Sequence, residues 1–290
     1  MNEERARILK MLEDGKITAE EAARLLEALK ERPRDTEGMH FHGPRFRKRF
    51  PMGLEMIPEV VARTVEQAVE SGIGEKMHLR ERKFSAKSEV GIRAVSSDIE
   101  IHGWEKEEIF MESSGLGKVT EDNNRLDIKT ISGDVKLNLP IKTRLVLTTV
   151  SGDIEIEKIQ SEFEIRTVSG DVELENIEGV AAINTISGDV EGKDLTGNFM
   201  VKSKSGDIDL SFRASDQGEF ETANGDISIT LPKDVNLILE LESEEGDIEL
   251  DIPEPYDKIE EREGYLKIGL GDKKGKFICQ TASGDIEIKK

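Results

Sequence analysis

Apolar positions follow two different spacings along this chain, and the spacing changes near residue 76. Over the first 30 residues Ile8, Leu9, Met11 and Leu12 form a stripe at helical spacing, and Asp14-Gly15-Lys16 stops it. Thr18-Ala19-Glu20-Glu21 then has the form of a capping box, with Thr18 as N-cap and Glu21 three positions on. Ala22, Ala23, Leu25, Leu26 and Leu29 share one side of the helix that follows. The pattern predicts an α-helical hairpin over residues 1–32. Two helices this short bury little apolar area, so the hairpin is read as a docking module for a protein partner. Residues 33–75 predict a linker rich in turn formers (Pro33, Gly38, Gly43, Pro44, Pro51, Gly53). One helix is expected within it, from about Ile57 to Glu70, with Pro58 in its first turn.

From residue 76 to 290 the spacing is that of strands, and it repeats. A small residue, then Gly, Asp and Val or Ile, recurs at Gly133, Gly152, Gly170, Gly188, Gly206, Gly225, Gly246 and Gly284, separated by 19, 18, 18, 18, 19, 21 and 38 residues. The last gap is about two periods, with Gly264-Tyr265-Leu266 as a degraded copy between; Ser97-Asp98-Ile99-Glu100-Ile101 is an earlier degraded copy. Eight clean copies at this period predict a stacked repeat.

Within Ser151–Val168 the apolar residues are Ile154, Ile156, Ile159, Phe163, Ile165 and Val168, which is one nine-residue pattern twice. Each half reads as a short strand with alternating faces and then a turn. Such a strand hides its apolar face only by stacking on its equivalents, about 4.8 Å away. The expected fold class is therefore mainly β, a β-solenoid of parallel β-helix or roll type with about 18 residues per rung. Val135, Ile154, Val172, Val190, Ile208 and Ile227 should form one internal column, and Leu137, Ile156, Leu174, Leu210 and Ile229 a second. Gly192 leaves a gap in the second, and Phe199 is the expected filler. The last rung, Ser283–Lys290, should lie at an edge blunted by Lys289 and Lys290.

Charge narrows the function classes. Residues 1–70 hold 13 Lys/Arg and 14 Asp/Glu, while the other 220 hold 28 and 47, so the repeat region carries most of the net −20. An acidic body repels phosphate, which excludes nucleic acid as its partner. The single cysteine, Cys279, excludes an intrachain disulfide and a cysteine-held zinc. The start of the sequence lacks the apolar stretch of a signal peptide, and no run of about 18 apolar residues occurs. The expected location is the cytoplasm, peripheral at the membrane. No Gly-x-Ser-x-Gly, His-Glu-x-x-His or phosphate loop is found, so neither an enzyme nor a cofactor is expected.

Three features are candidate sites. The eight glycines are read as structural turns, since a tight corner calls for positive φ. The aspartates beside them, Asp134, Asp153, Asp171, Asp189, Asp207 and Asp226, form a second column. They either take backbone and hydroxyl donors at each turn or form a calcium-type cation ladder. The missing Gly-Gly-x-Gly-x-Asp signature counts against metal. Thr130, Thr149, Thr167, Thr185, Ser203, Thr222, Ser243 and Thr281 would give a hydroxyl column next to them, read alternatively as an outward face of ice-binding type. In the linker, Phe41 and Arg45, Phe46, Arg47, Lys48, Arg49 and Phe50 suit an anionic membrane surface, or simply a solvated basic stretch.

The Ser-Gly-Asp-Val/Ile-x-Leu/Ile strands over residues 90–290 resemble the putative-adhesin β-strand-repeat family, a bacterial domain of unknown function. The run Ile8-Leu9-Lys10-Met11-Leu12-Glu13-Asp14-Gly15-Lys16-Ile17-Thr18-Ala19-Glu20-Glu21-Ala22 is similar to the SHOCT-like short helical domain of YvlB-like and LiaX-like proteins. The resemblance implies a role near the cell envelope and its stress response, with no catalytic residues. The expected function is a non-enzymatic binding or scaffold protein. The rivals are a self-assembling scaffold, which makes the chain a homo-oligomer, and a carbohydrate-active solenoid enzyme.

Overall fold

The computed structural model describes residues 76–290, with side chains from residue 81. The expected hairpin over 1–32 and the linker with its helix over 33–75 lie outside the described residues. Within them the chain is mainly β, and 21 strands belong to one sheet. The first six are β1 (Lys76–Ser85), β2 (Glu89–Ser96), β3 (Ile99–Trp104), β4 (Glu108–Glu121), β5 (Arg125–Ser132) and β6 (Val135–Pro140). The repeat then runs through β7 (Arg144–Thr148), β8 (Ile154–Glu157), β9 (Gln160–Arg166), β10 (Val172–Glu175), β11 (Glu178–Asn184), β12 (Val190–Lys202), β13 (Ile208–Ala214), β14 (Gln217–Asn224) and β15 (Ile227–Thr230). The last six are β16 (Leu237–Glu245), β17 (Ile248–Asp251), β18 (Asp257–Arg262), β19 (Tyr265–Gly269), β20 (Gly275–Ser283) and β21 (Ile286–Lys289).

The strands form two parallel ladders. In the first, strands that follow the Gly-Asp corners pair in register, as in Ile154↔Val172, Val172↔Val190, Val190↔Ile208 and Ile208↔Ile227. In the second, β7, β9, β11, the end of β12 and β14 pair in the same way. An 18-residue period sets this register, because a slip of one residue would turn every buried aliphatic side chain outward.

At both ends the order in space differs from the order in the chain. β3 pairs with β6 on one side and β8 on the other, so Ile99 stands between Val135 and Ile154 in the first column. β4 runs antiparallel across β5 and β6, and β1 lies outside β4. At the far end β20 and β21 are inserted between β14–β15 and β16–β17. The degraded copy near Gly264 is not a rung. It turns β18 into β19, an antiparallel pair set on β16. Lys289 therefore guards no edge, since it pairs with Thr230 on one side and Asp251 on the other. A period in sequence fixes which residues are equivalent, and the lengths of the excursions between rungs decide which equivalents are neighbours.

Both predicted columns are buried. Their members Val135, Ile154, Val172, Val190, Ile208 and Ile227, and Leu137, Ile156, Leu174, Leu210 and Ile229, are at most 3% exposed. Each such side chain contributes roughly 1.5–3 kcal/mol. The gap at Gly192 is filled by Leu195 and Leu210 rather than Phe199: an added Cβ would lie 2.7 Å from the Cδ atoms of both. In the second ladder large and small residues alternate up the column Phe163, Ala181, Phe199, Gly218, Phe277. This lets the Phe212, Phe220 and Phe277 rings pack with centroids 5.2–5.8 Å apart.

Candidate functional site

The Gly-Asp corner is built by close approach of successive rungs. Gly170 and Gly188 have φ of 121° and 129°, and a side chain at either would run into the backbone carbonyl of the glycine one rung back. Only glycine meets both conditions. The chain also turns at a second corner, where the sequence reading expected a turn at the end of each half-rung but not the residues that take positive φ. Lys158, Asn176 and Asp194 hold φ of 54–56° there, and the buried Ile159, Ile177 and Leu195 follow them. The signal was their own 18-residue spacing.

The aspartate column is a hydrogen-bond relay. Asp171 N–H donates to Asp153 Oδ1 at 2.9 Å, Asp189 N–H to Asp171 Oδ1 and Asp207 N–H to Asp189 Oδ1, both at 2.8 Å. The series continues from Asp226 to Asp207, Asp285 to Asp226 and Asp247 to Asp285 at 2.7–2.8 Å. At the near end Asp153 N–H donates to Asp98 Oδ1, and Asp134 N–H to Ser114 Oγ. Charge-assisted bonds of this kind offset the mutual repulsion of the carboxylates. Among the described residues no three His, Cys, Asp or Glu side chains are arranged to hold a metal ion. The hydroxyl column lies inside the rungs, not on an outward face: its eight members are at most 1% exposed. Thr149, Thr167 and Thr185 donate to the carbonyls of Ser151, Ser169 and Ser187.

Two residues beyond the aspartates runs a third column, on the outer face of the first ladder. Glu100, Glu155, Glu173, Glu191 and Asp209 are cross-strand neighbours in consecutive rungs. Unit charges at strand spacing repel by about 0.9 kcal/mol even in water. Burial, then Glu100, Glu173 and Glu157, push the Glu155 carboxyl above its usual range. Lys136, ion-paired with Glu100, closes the near end of the column. Between the two acidic columns lies an open groove of about 440 Å³, lined by Asp98, Asp153, Asp171, Glu155 and Glu173 among others. Outward positions of a rung accept almost any residue, so the fold does not require five acids in line. The arrangement suits the backbone-spaced cations of a partner.

Two further charged clusters are held by partners within the structure. His102 Nδ1 lies 2.8 Å from Glu157 Oε2, and that bond holds the Glu157 carboxyl below its usual range. Lys202 is buried, 2.6 Å from Glu219 and 3.1 Å from Glu221. Burial raises the Glu221 carboxyl despite that lysine. The basic residues Arg45, Phe46, Arg47, Lys48, Arg49 and Phe50 lie outside the described residues. No helix among the described residues is long and apolar enough to cross a membrane.

Residues 74–289 match the model of the family described as Toastrack DUF4097, and residues 3–34 match that of a SHOCT-like domain. None of the curated proteins compared matches the chain. Among solved structures, one from Parabacteroides distasonis, described as a putative lipid binding protein, is 17% identical. The match covers 74% of this chain and 98% of that one, with a TM-score of 0.40. One from Clostridium sporogenes, described as a putative cell adhesion protein, is 13% identical over 73% and 99% of the two chains, with a TM-score of 0.27. A putative adhesin from Parabacteroides merdae is 10% identical over 74% and 97%, with a TM-score of 0.28.

Proposed function

Since this chain belongs to the Toastrack DUF4097 family, with a SHOCT-like domain at residues 3–34, we propose that it is a non-enzymatic binding protein of the bacterial cell envelope and its stress response. In this reading residues 76–290 are an acidic β-solenoid with about 18 residues per rung. Its outer first-ladder face receives a cationic partner, the helical module docks a protein, and residues 41–50 touch an anionic membrane surface from the cytoplasmic side. The observation that carries the reading is the unbroken file Glu100, Glu155, Glu173, Glu191, Asp209, which gains nothing for the fold. Its periodic charge is a template for a partner's cations, and its strength should fall steeply with salt.

The test is binding of the full chain to immobilised polylysine at low and high salt. Binding that is salt-sensitive, and that the triple variant Glu155→Gln, Glu173→Gln, Glu191→Gln weakens several-fold, supports the reading. Equal binding by the variant removes it. The membrane arm is tested separately by flotation with anionic vesicles, using a variant in which Arg45, Arg47, Lys48 and Arg49 are all Ser. Unchanged flotation removes that arm alone.

A further inference from the structure

Three strands are paired on one side only among the described residues: β1, β17 and β18. Proteins blunt such edges with bulges, charges and inward-pointing ionic side chains, because an open edge recruits other strands. β1 has a register shift between Met77 and Arg80, and it turns Arg82 inward opposite Met111. β18 is exposed throughout, carries Lys258, Glu260, Glu261 and Arg262, and shifts register between Lys258 and Glu260. β17 carries acidic side chains outward, but it has no register shift and turns no ionic side chain inward. Its four residues pair with β21 without a shift.

The hydrogen-bond series of the first ladder shows what this edge presents. In every rung the residue after the aspartate donates its N–H to the next rung's aspartate carbonyl, as in Ile208 to Asp226, Ile227 to Asp285 and Ile286 to Asp247, each at 2.9 Å. Ile248 N–H is next in the series and points outward, and Leu250 N–H points the same way by strand alternation. The relay places Asp247 Oδ1 where an incoming amide would donate. Ile248 and Leu250 are half-buried, whereas their equivalents Ile286 and Ile288 are fully buried. Outward, the edge carries Asp247, Glu249 and Asp251, and neither Asp247 nor Glu249 has an ion-pair partner among the described residues.

We propose that β17 is a strand-addition site, which takes from a partner protein one extended segment with apolar residues facing inward alternating with Lys or Arg facing outward. The backbone groups supply affinity. Ile248 and Leu250 select apolar inward residues, and the carboxylates select basic outward ones. A second copy of the chain fits worse, since its own β17 would set Glu249 and Asp251 against the same acids. This site is independent of the acidic face proposed above.

The probe is a labelled peptide Val-Lys-Val-Lys-Val-Lys-Val, with an otherwise identical peptide methylated on alternate amides as the control. Expected are slowed hydrogen exchange at the Ile248 and Leu250 amides of the full chain and at least tenfold weaker binding of the methylated peptide. Leu250→Pro, which removes one outward N–H, should weaken binding as much. Glu249→Lys with Asp251→Lys should transfer preference to Val-Glu-Val-Glu-Val-Glu-Val. That pair keeps the β17–β21 backbone bonds, so it decides the matter even if the proline variant misfolds. Equal binding of both peptides with no protection at β17 overturns the proposal and leaves the acidic-face reading standing. Self-association of the full chain that Leu250→Pro abolishes also overturns it, by making a second copy the occupant.

Discussion

Replacing Gly188 by alanine tests the corner on which every rung depends. Gly188 has φ of 129°, a region that costs a residue with a side chain about 1–3 kcal/mol. The added methyl would also sit 2.8 Å from the Gly170 carbonyl carbon, closer still to its oxygen, and neither belongs to a flexible side chain. Relief requires the rungs to part at this corner. That weakens Ser187 N–H to Val168 O and Val172 N–H to Asp189 O, both at 2.9 Å, and the Asp189 N–H to Asp171 Oδ1 bond. Two backbone bonds at roughly 1 kcal/mol each and one charge-assisted bond at roughly 1.5–3 kcal/mol are at risk. A loss of about half of that, added to the strain, gives about 3–6 kcal/mol. The assay is urea unfolding of the full chain, with midpoint and slope compared between Gly188→Ala and Gly192→Ala. At Gly192 the methyl meets only the ends of Leu195 and Leu210, so its loss should be smaller. A loss below about 1 kcal/mol at Gly188, or one no greater than that at Gly192, would refute the close-approach account.

Ile156→Ala should cost about 2–5 kcal/mol in the same assay, because Ile156 is fully buried in the second column; a near-zero loss would reverse the assigned faces. Lys202→Met should cost about 3–5 kcal/mol at neutral pH by leaving the buried Glu221 carboxylate uncompensated, and the loss should shrink as pH falls and Glu221 protonates. Glu155→Gln should raise the melting temperature at pH 7 and low salt. Because the folded-state value of Glu155 is raised, its favourable term is full below the unfolded value and is lost as pH rises through the folded one. The gain should fade in acid, and its charge-repulsion part should shrink in 0.5 M salt, where the screening length is about 4 Å, leaving the part due to burial; a gain that persists in acid would point to another cause.

The repeat was legible because each rung obeys the same steric rule: Gly where backbones touch, Asp where an amide must be met, aliphatics two apart. What escaped the sequence was set by contacts between distant rungs. Asp98 sits between Asp134 and Asp153 only because β4 carries the chain across two rungs before β5 returns it. The hydroxyl column beside the aspartates was expected, but not that Thr149 and Thr167 find backbone acceptors inside the corner, which removes the alternative of an outward face. The gap at Gly192 was visible, but its filler comes from Leu195 just beyond and Leu210 one rung on, a choice made by side-chain packing. The acidic file was visible only as high charge until the register aligned it.

The insertion of β20–β21 between two earlier rungs has a consequence for biogenesis. During synthesis β16 and β17 emerge before the strands on which they rest, so the far portion of the stack cannot close by simple sequential addition. Phe220, which packs on both Phe212 and Phe277, lacks its Phe277 contact until residue 277 has left the ribosome. A product cut short before residue 275 lacks the β20–β21 wedge on which two rungs depend, which makes synthesis of residues 275–289 the checkpoint for that part of the domain.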